Sequence, residues 1–510
     1  MLQSWKRLQV TYHGGKYSIQ RLLALEAYTR SASSSRVLLL CIATPLPMAT
    51  LVILQELIPL QDPKDGWKAN YGFWLRDAIT AFVVNLTNLG QAPFFITDLP
   101  ISKLQFAPLY YVVQIIVFRI VIGTRIFYRM LAQRFQLERY MAFITIQFTL
   151  VLLYPAYEAV FHVAEETWYH FLVILLLPVI KVVVKNMVLR CTIHLEDMMP
   201  EAAIFTVDYF NAIYVATCVQ SSSSASAIMA ITITDLTQAL LMLYGLHRHT
   251  ARTLPKLGRI VKEIPLNDSV LLSLSTLCRD LVNRDKQLDV GIRVRSCIPH
   301  QLSPIDEELI DKLDFLTNTT RVHVVQKAAI EGHREDLSWD SNSTSITGSS
   351  WCSRRRSDVI YPSIQLNTTP AEKLNILREA LEVLFTTECL VVAAYLEAVV
   401  PLFYSGYMLV MVHFPSAQYH SEMVGVTREN VGATVFPVFV FAVLQIVAFV
   451  LLGLLIKRNC GMRALWQLAF VLESQMFLIQ GKLMVWIMIT LCCRLAHFGE
   501  YFFPNGSLRC

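Results

Sequence analysis

Two aspartates in apolar surroundings are the residues whose presence most needs a chemical reason. Asp208 lies in FTVDYFNAIYVATC and Asp235 in ITITDLTQALLM, on either side of the polar turn QSSSS. Read as an antiparallel helical hairpin, the two segments hold their carboxylates at nearly one depth. Asp208 stands eleven residues before Val219, and Asp235 stands eleven after Ser224. Asn211 and Gln238 each follow an acid at three-residue spacing, which puts an amide on the same helical face. A charged Asp at the centre of a membrane helix costs about 2.5–3.5 kcal/mol. Two carboxylates close together in a low dielectric resist double ionisation, so the pair shares a proton or captures a cation. That is the chemistry of a coupling site in a proton- or cation-linked transporter. Asp208, Asp235, Asn211 and Gln238 are therefore the candidate coupling residues. The competing reading is that the acids and amides only hydrogen-bond adjacent helices together.

Other charges in apolar segments are candidate partners for these acids. Arg119 sits deep within YVVQIIVFRIVIGTRIF, and Glu397 is the deeper of two acids, with Glu388, in the long apolar run 381–411. Arg125, Lys181 and Lys185 lie nearer segment ends and are expected to snorkel. Glu158 is placed at the outer interface. Glu473 and Lys482 belong to a stretch, LESQMFLIQGKLMVW, half of which is expected to lie along the inner surface. His413, His420 and Glu422 share an outer loop, but their pattern does not make a metal site, and no cofactor is expected. The chain has no P-loop, potassium-channel filter, regular arginine ladder or HExxH motif, so an enzyme reading has no support. In WCSRRRSDVI three arginines precede Ser357, the candidate phosphosite. Phosphorylation there adds a charge of about −1.5 to −2 beside a basic cluster and would release it from anionic lipid. Of the sequons at Asn85, Asn267, Asn318, Asn342, Asn367 and Asn505, only Asn505 is a clear candidate for glycosylation.

The elements that must position these residues are transmembrane helices. Of 510 residues, 54% are hydrophobic and only 16% charged, with mean hydropathy +0.46, against roughly 25% charged in a soluble domain. The fold class is an all-α, polytopic helical bundle. Nine apolar stretches are long enough to span: 37–60, 105–128, 140–163, 168–189, 201–219, 225–246, 381–411, 434–456 and 470–493. The segment 73–96, which carries Arg76 and Asp77, reads as interfacial or re-entrant. The distribution of Lys and Arg puts the N-terminus inside and the C-terminus outside. The net charge of +5 serves this topology, and nucleic acid is not an expected partner.

The chain thus divides into a basic cytosolic segment 1–36, six spans over 37–246, a cytosolic loop 247–377, three spans over 378–496 and a tail 497–510. The opening residues show no signal-peptide pattern, and SIQRLLALEAYTR reads as part of a cytosolic tail with topogenic charges, with a short basic amphipathic helix on the membrane surface as the alternative. In the loop, Ser303 and Pro304 start an amphipathic helix, and 332–369 is expected to be disordered. Thr369 and Pro370 start a helix that can run without a break into the following span, bending at Pro401.

Three stretches, LEDMMPEAAIFTVDYFNAIYVATCVQSSSS, HFPSAQYHSEMVGVTRENVGATVFPVFVF and KRNCGMRALWQLAFVLESQMFLIQGKLMVWIMITL, resemble a large family of multi-pass membrane proteins of oomycetes such as Phytophthora. The resemblance implies an integral membrane protein and carries no activity, ligand or catalytic residue. From the residues themselves two functions remain. One is a secondary transporter or channel-like protein that moves an unknown small solute or ion through a polar site at Asp208 and Asp235. The other is a membrane sensor or scaffold whose loop 247–377 binds cytosolic protein partners. Both place the chain in the bilayer of a plasma membrane or endomembrane.

Overall fold

The computed structural model describes residues 17–65, 68–95, 134–164, 167, 169–192, 197–222, 224–260, 270–283, 292–298, 300–315 and 370–495. The candidate span 105–128, Arg119, the stretch 332–369, Ser357 and Asn505 lie outside them. Among the described residues the architecture is helical throughout, apart from an isolated bridge between His420 and Leu495. In chain order the helices are α1 Ile19–Ser31, α2 Ser34–Ala43, α3 Leu46–Glu56, α4 Tyr71–Phe95, α5 Arg134–Ala164 and α6 His170–Thr192. There follow α7 Glu201–Ser221, α8 Ala225–Ile260, α9 Val270–Asn283, α10 over 304–315, α11 Pro370–Met411, α12 Val431–Cys460, α13 Ala464–Ser474 and α14 Met476–Cys493.

Eight apolar helices among the described residues are long enough to cross a bilayer, counting α2 and α3 as one span. They fall on eight of the nine expected stretches. The surface they present has the composition that hydrocarbon requires. Leu38, Leu39, Leu152, Val163, Leu172, Phe436 and Leu454 all point outward and are exposed, a distribution that water would penalise and lipid would not. This is a multi-pass integral membrane protein.

The helix carrying Asp208 is the axis of the bundle. Every residue of the apolar window of α7 is buried, because α5, α6, α8, α11, α12 and α14 pack around it. Its first part is not regular. Residues Ile204–Asp208 form a π turn, in which Tyr209 N–H reaches back to Ile204 O. Such a turn loosens the carbonyl ladder, and freed carbonyls inside a bundle need donors from neighbouring helices. Two residues of α14 supply them. Trp486 Nε1 donates to Phe205 O at 2.8 Å, and Lys482 Nζ donates to Ala202 O at 3.3 Å.

The segment read as interfacial or re-entrant belongs, over 73–95, to one continuous helix, Tyr71–Phe95, which packs along α14 and α5 without the break a re-entrant segment needs. Arg76 near its start is neutralised by Glu56 at 2.8 Å. The N-terminal helix buries its apolar face against protein. In α1 the residues Ile19, Leu22, Leu23 and Leu25 are buried together with Arg21. The soluble loop closes over it, with Ile19 and Gln20 N–H donating to Arg293 O and Val294 O at 3.0 Å. In that loop Asp306 N–H bonds the Ser303 hydroxyl at 3.3 Å, the cap expected for α10,. The helix after Pro370 runs unbroken for 42 residues through Pro401.

Candidate functional site

The centre of the site is a lysine pair. Lys181 and Lys185 are four residues apart on α6, so their amines share one face. Both are buried against the π turn of α7. Lys185 Nζ lies 3.0 Å from Asp208 Oδ2, and Lys181 Nζ lies 3.4 Å from Asp208 Oδ1 and 2.7 Å from Glu397 Oε1 of α11. This corrects the expectation that the two lysines snorkel. Buried carboxylates on the facing helices attract them more strongly than the distant headgroups do. Glu397, read as a candidate partner in the polar pathway of the aspartates, pairs with Lys181.

The two aspartates do not face one another as a carboxylate pair. Asp208 turns to α6 and its lysines. Asp235 of α8 turns to α12, where the Gln445 side-chain amide donates to its Oδ2. Lys181 nevertheless feels the charge of Asp208, Glu397 and Asp235 together. The cluster therefore holds three carboxylates against two ammonium groups. Among the described residues no cation makes ion-pair contact with Asp235. Asp235, Asn211 and Gln238 line one small cleft between α5, α6, α7 and α8, with Tyr157, Pro178 and Thr234. Its volume of about 20 Å³ holds a single water. Beside the cluster, the Tyr154 hydroxyl is fully buried, has no hydrogen-bond partner among the described residues, and lies within electrostatic reach of Lys181 and Asp208.

Each end of α7 is closed by a further charge cluster. At its start Arg21 of α1 reaches Glu201 at 2.6 Å, Glu388 at 2.7 Å and the Asp197 carbonyl at 2.6 Å. The Tyr17 hydroxyl adds a bond to Glu388 at 2.9 Å. Burial and then the charge of Arg21 push nearby His300 down to about 4, so it stays neutral. Lys482 sits between this cluster and the central one, with Thr206 Oγ1 at 3.4 Å. At the other end Gln220 Nε2 donates to Glu422 O at 3.0 Å. There His420 stands between Glu56 at 3.3 Å and Glu422 at 3.6 Å, and Arg494 pairs with Glu158 at 3.2 Å. Burial alone would lower the His420 pKa, but hydrogen bonds and charge from Glu422 and Glu56 outweigh it and raise it to about 9. Burial likewise works against ionised Glu422, yet His420 and Arg494 hold it down at about 2. Among the described residues no group of three acid, His or Cys side chains is spaced to hold a metal ion.

Sequence reasoning passed over Arg21, Glu201, Glu56 and Arg494, and set Lys181 and Lys185 aside. The four-residue spacing of the lysines was a usable signal. Nothing local marks Arg21, because its partners lie about 180 and more than 360 positions away. Compared with known proteins, the chain matches no family model, no curated protein and no solved structure.

Proposed function

We propose that this membrane protein is an ion-coupled transporter whose coupling ion, a proton or small cation, binds at Asp235. The observation that carries the reading is the third carboxylate. Lys181 and Lys185 balance Asp208 and Glu397, which leaves Asp235 as the acid that an incoming positive charge neutralises. An ionised carboxylate within the apolar bundle that no cation contacts directly is costly, and intramembrane acids of this kind mark ion and proton pathways. Asp235 borders the cleft, whereas Asp208 is sealed within the bundle. Binding at Asp235 would alter the pull on Lys181, and so the contact between α6 and α11.

The test is flux in vesicles. Purified protein in liposomes should dissipate an imposed proton or cation gradient, and Asp235→Asn should bring the rate to that of empty vesicles while the protein remains folded. Equal flux with and without the Asp235 carboxylate would end the proposal. The second reading, a membrane scaffold, is favoured by how little room the cleft offers. In it the charge clusters only lock helices together, and deletion of residues 316–369, not Asp235→Asn, is the damaging change.

A further inference from the structure

Resting on that reading, we infer that the positive charge taken up at Asp235 is a proton and not a metal cation. Three features of the site select between them. The first is ligand number. A proton needs one carboxylate oxygen, whereas a metal ion needs several ligands, and among the described residues no group of three acid, His or Cys side chains is spaced to hold one. The second is the free oxygen of Asp235. Gln445 of α12 donates to Oδ2, which leaves Oδ1 as the oxygen that takes the proton. The third is space. The cleft offers about 20 Å³, enough for one water. Calcium takes six to eight oxygens and magnesium keeps several of its waters, so neither fits such a volume.

The groups acting on Asp235 from its neighbours are Lys181 on α6, Asp208 on α7, Glu397 on α11 and Gln445 on α12, with Tyr157 of α5 lining the same cleft. The proton arrives at the cleft as hydronium. A hydronium ion transfers its proton to the Asp235 carboxylate, giving a carboxylic acid and water, and the lysines keep their protons throughout. Afterwards Lys181 is shared between Glu397 and Asp208 alone, and the cluster is neutral. Release is the reverse step. The unpartnered Tyr154 hydroxyl, within reach of Lys181 and Asp208, supplies a neutral group through which the charge frame can rearrange without admitting an ion.

Two measurements on the full-length protein in detergent test the inference without knowledge of the solute. Infrared difference spectra across a pH titration should show one carboxylic-acid carbonyl band that grows on acidification. It should be lost in Asp235→Asn and shifted in frequency in Asp235→Glu. At constant pH, sodium, potassium, calcium or magnesium chloride should raise the melting temperature of wild type and Asp235→Asn equally. Absence of a band that depends on residue 235 overturns the inference. So does a melting-temperature rise with one metal salt that Asp235→Asn abolishes. In that second case a cation occupies the site and the coupled-transport reading survives. If the band is found but vesicle flux is indifferent to Asp235, the proton assignment stands and the transport reading fails.

Discussion

Replacing Arg21 with methionine isolates the energetics of the cluster at the start of α7. The side chains of Arg21, Glu201 and Glu388 are 1–2% exposed. Taking one partner from a buried ion pair costs about 3–5 kcal/mol, because the abandoned charge stays out of water. Arg21 has two such partners and also donates to the Asp197 carbonyl, so a loss on the order of 5 kcal/mol is expected. That rivals the total stability of about 5–15 kcal/mol usual for a folded protein. For comparison, the pair Lys256–Glu379 is 48% and 42% exposed, and pairs of that kind are worth about 0–1 kcal/mol. The assay is thermal unfolding in detergent at fixed scan rate. Arg21→Met should lower the melting temperature by on the order of 10 °C, taking about 2 °C per kcal/mol for a large domain. Lys256→Ala should barely move it. The triple variant R21M/E201Q/E388Q should recover most of the loss, since replacing a whole buried ion group is often close to neutral. A melting temperature for Arg21→Met within about 2 °C of wild type would refute the reasoning, and so would a failure of the triple variant to recover.

The central cluster should respond unequally to two similar changes. Asp208→Asn removes the carboxylate shared by Lys181 and Lys185 and should cost about 3–5 kcal/mol, while Asp235→Asn keeps the Gln445 bond and should cost about 1 kcal/mol or less, both read by thermal unfolding. His420 gives a pH signature. Its folded pKa of about 9 exceeds the ordinary 6.5, so its contribution is complete below 6.5 and lost as pH rises through 9. In His420→Gln the melting temperature should no longer fall across that window. Gly72→Ala should be strongly destabilising, because a Cβ there would come within 2.0 Å of Pro59 O, whereas Gly406→Ala meets nothing within 4 Å and should be tolerated. Asn505→Gln, expressed in a glycosylating host, should remove a glycan detectable by gel mobility if the C-terminus faces outward, and Asn342→Gln should remove none.

Asp208, Asp235 and Glu397 could be recognised in the sequence because a carboxylate within an apolar run is unusual whatever surrounds it. Their partners could not. Helical spacing says which residues share a face, and it places Lys181 with Lys185 and Asp208 with Asn211. It does not say how far each helix is rotated about its own axis. The idea of two facing aspartates needed that rotation, and in the structure Asp208 turns to the lysines of α6 while Asp235 turns to Gln445 of α12. The π turn at Ile204–Asp208 adds to the difficulty, because one widened turn changes the direction of every side chain that follows it.

What the sequence by itself determined is the architecture. Crossing a bilayer is a local requirement of about twenty apolar residues with their backbone bonds satisfied internally, and the chain states it segment by segment. The tertiary structure alone decided which helix became the axis, and which cation meets which acid. Arg21 reaches Glu201 and Glu388 only after α1, α7 and α11 have packed. The strength of those pairs comes from the low dielectric that packing creates, and that environment does not exist for any segment taken alone.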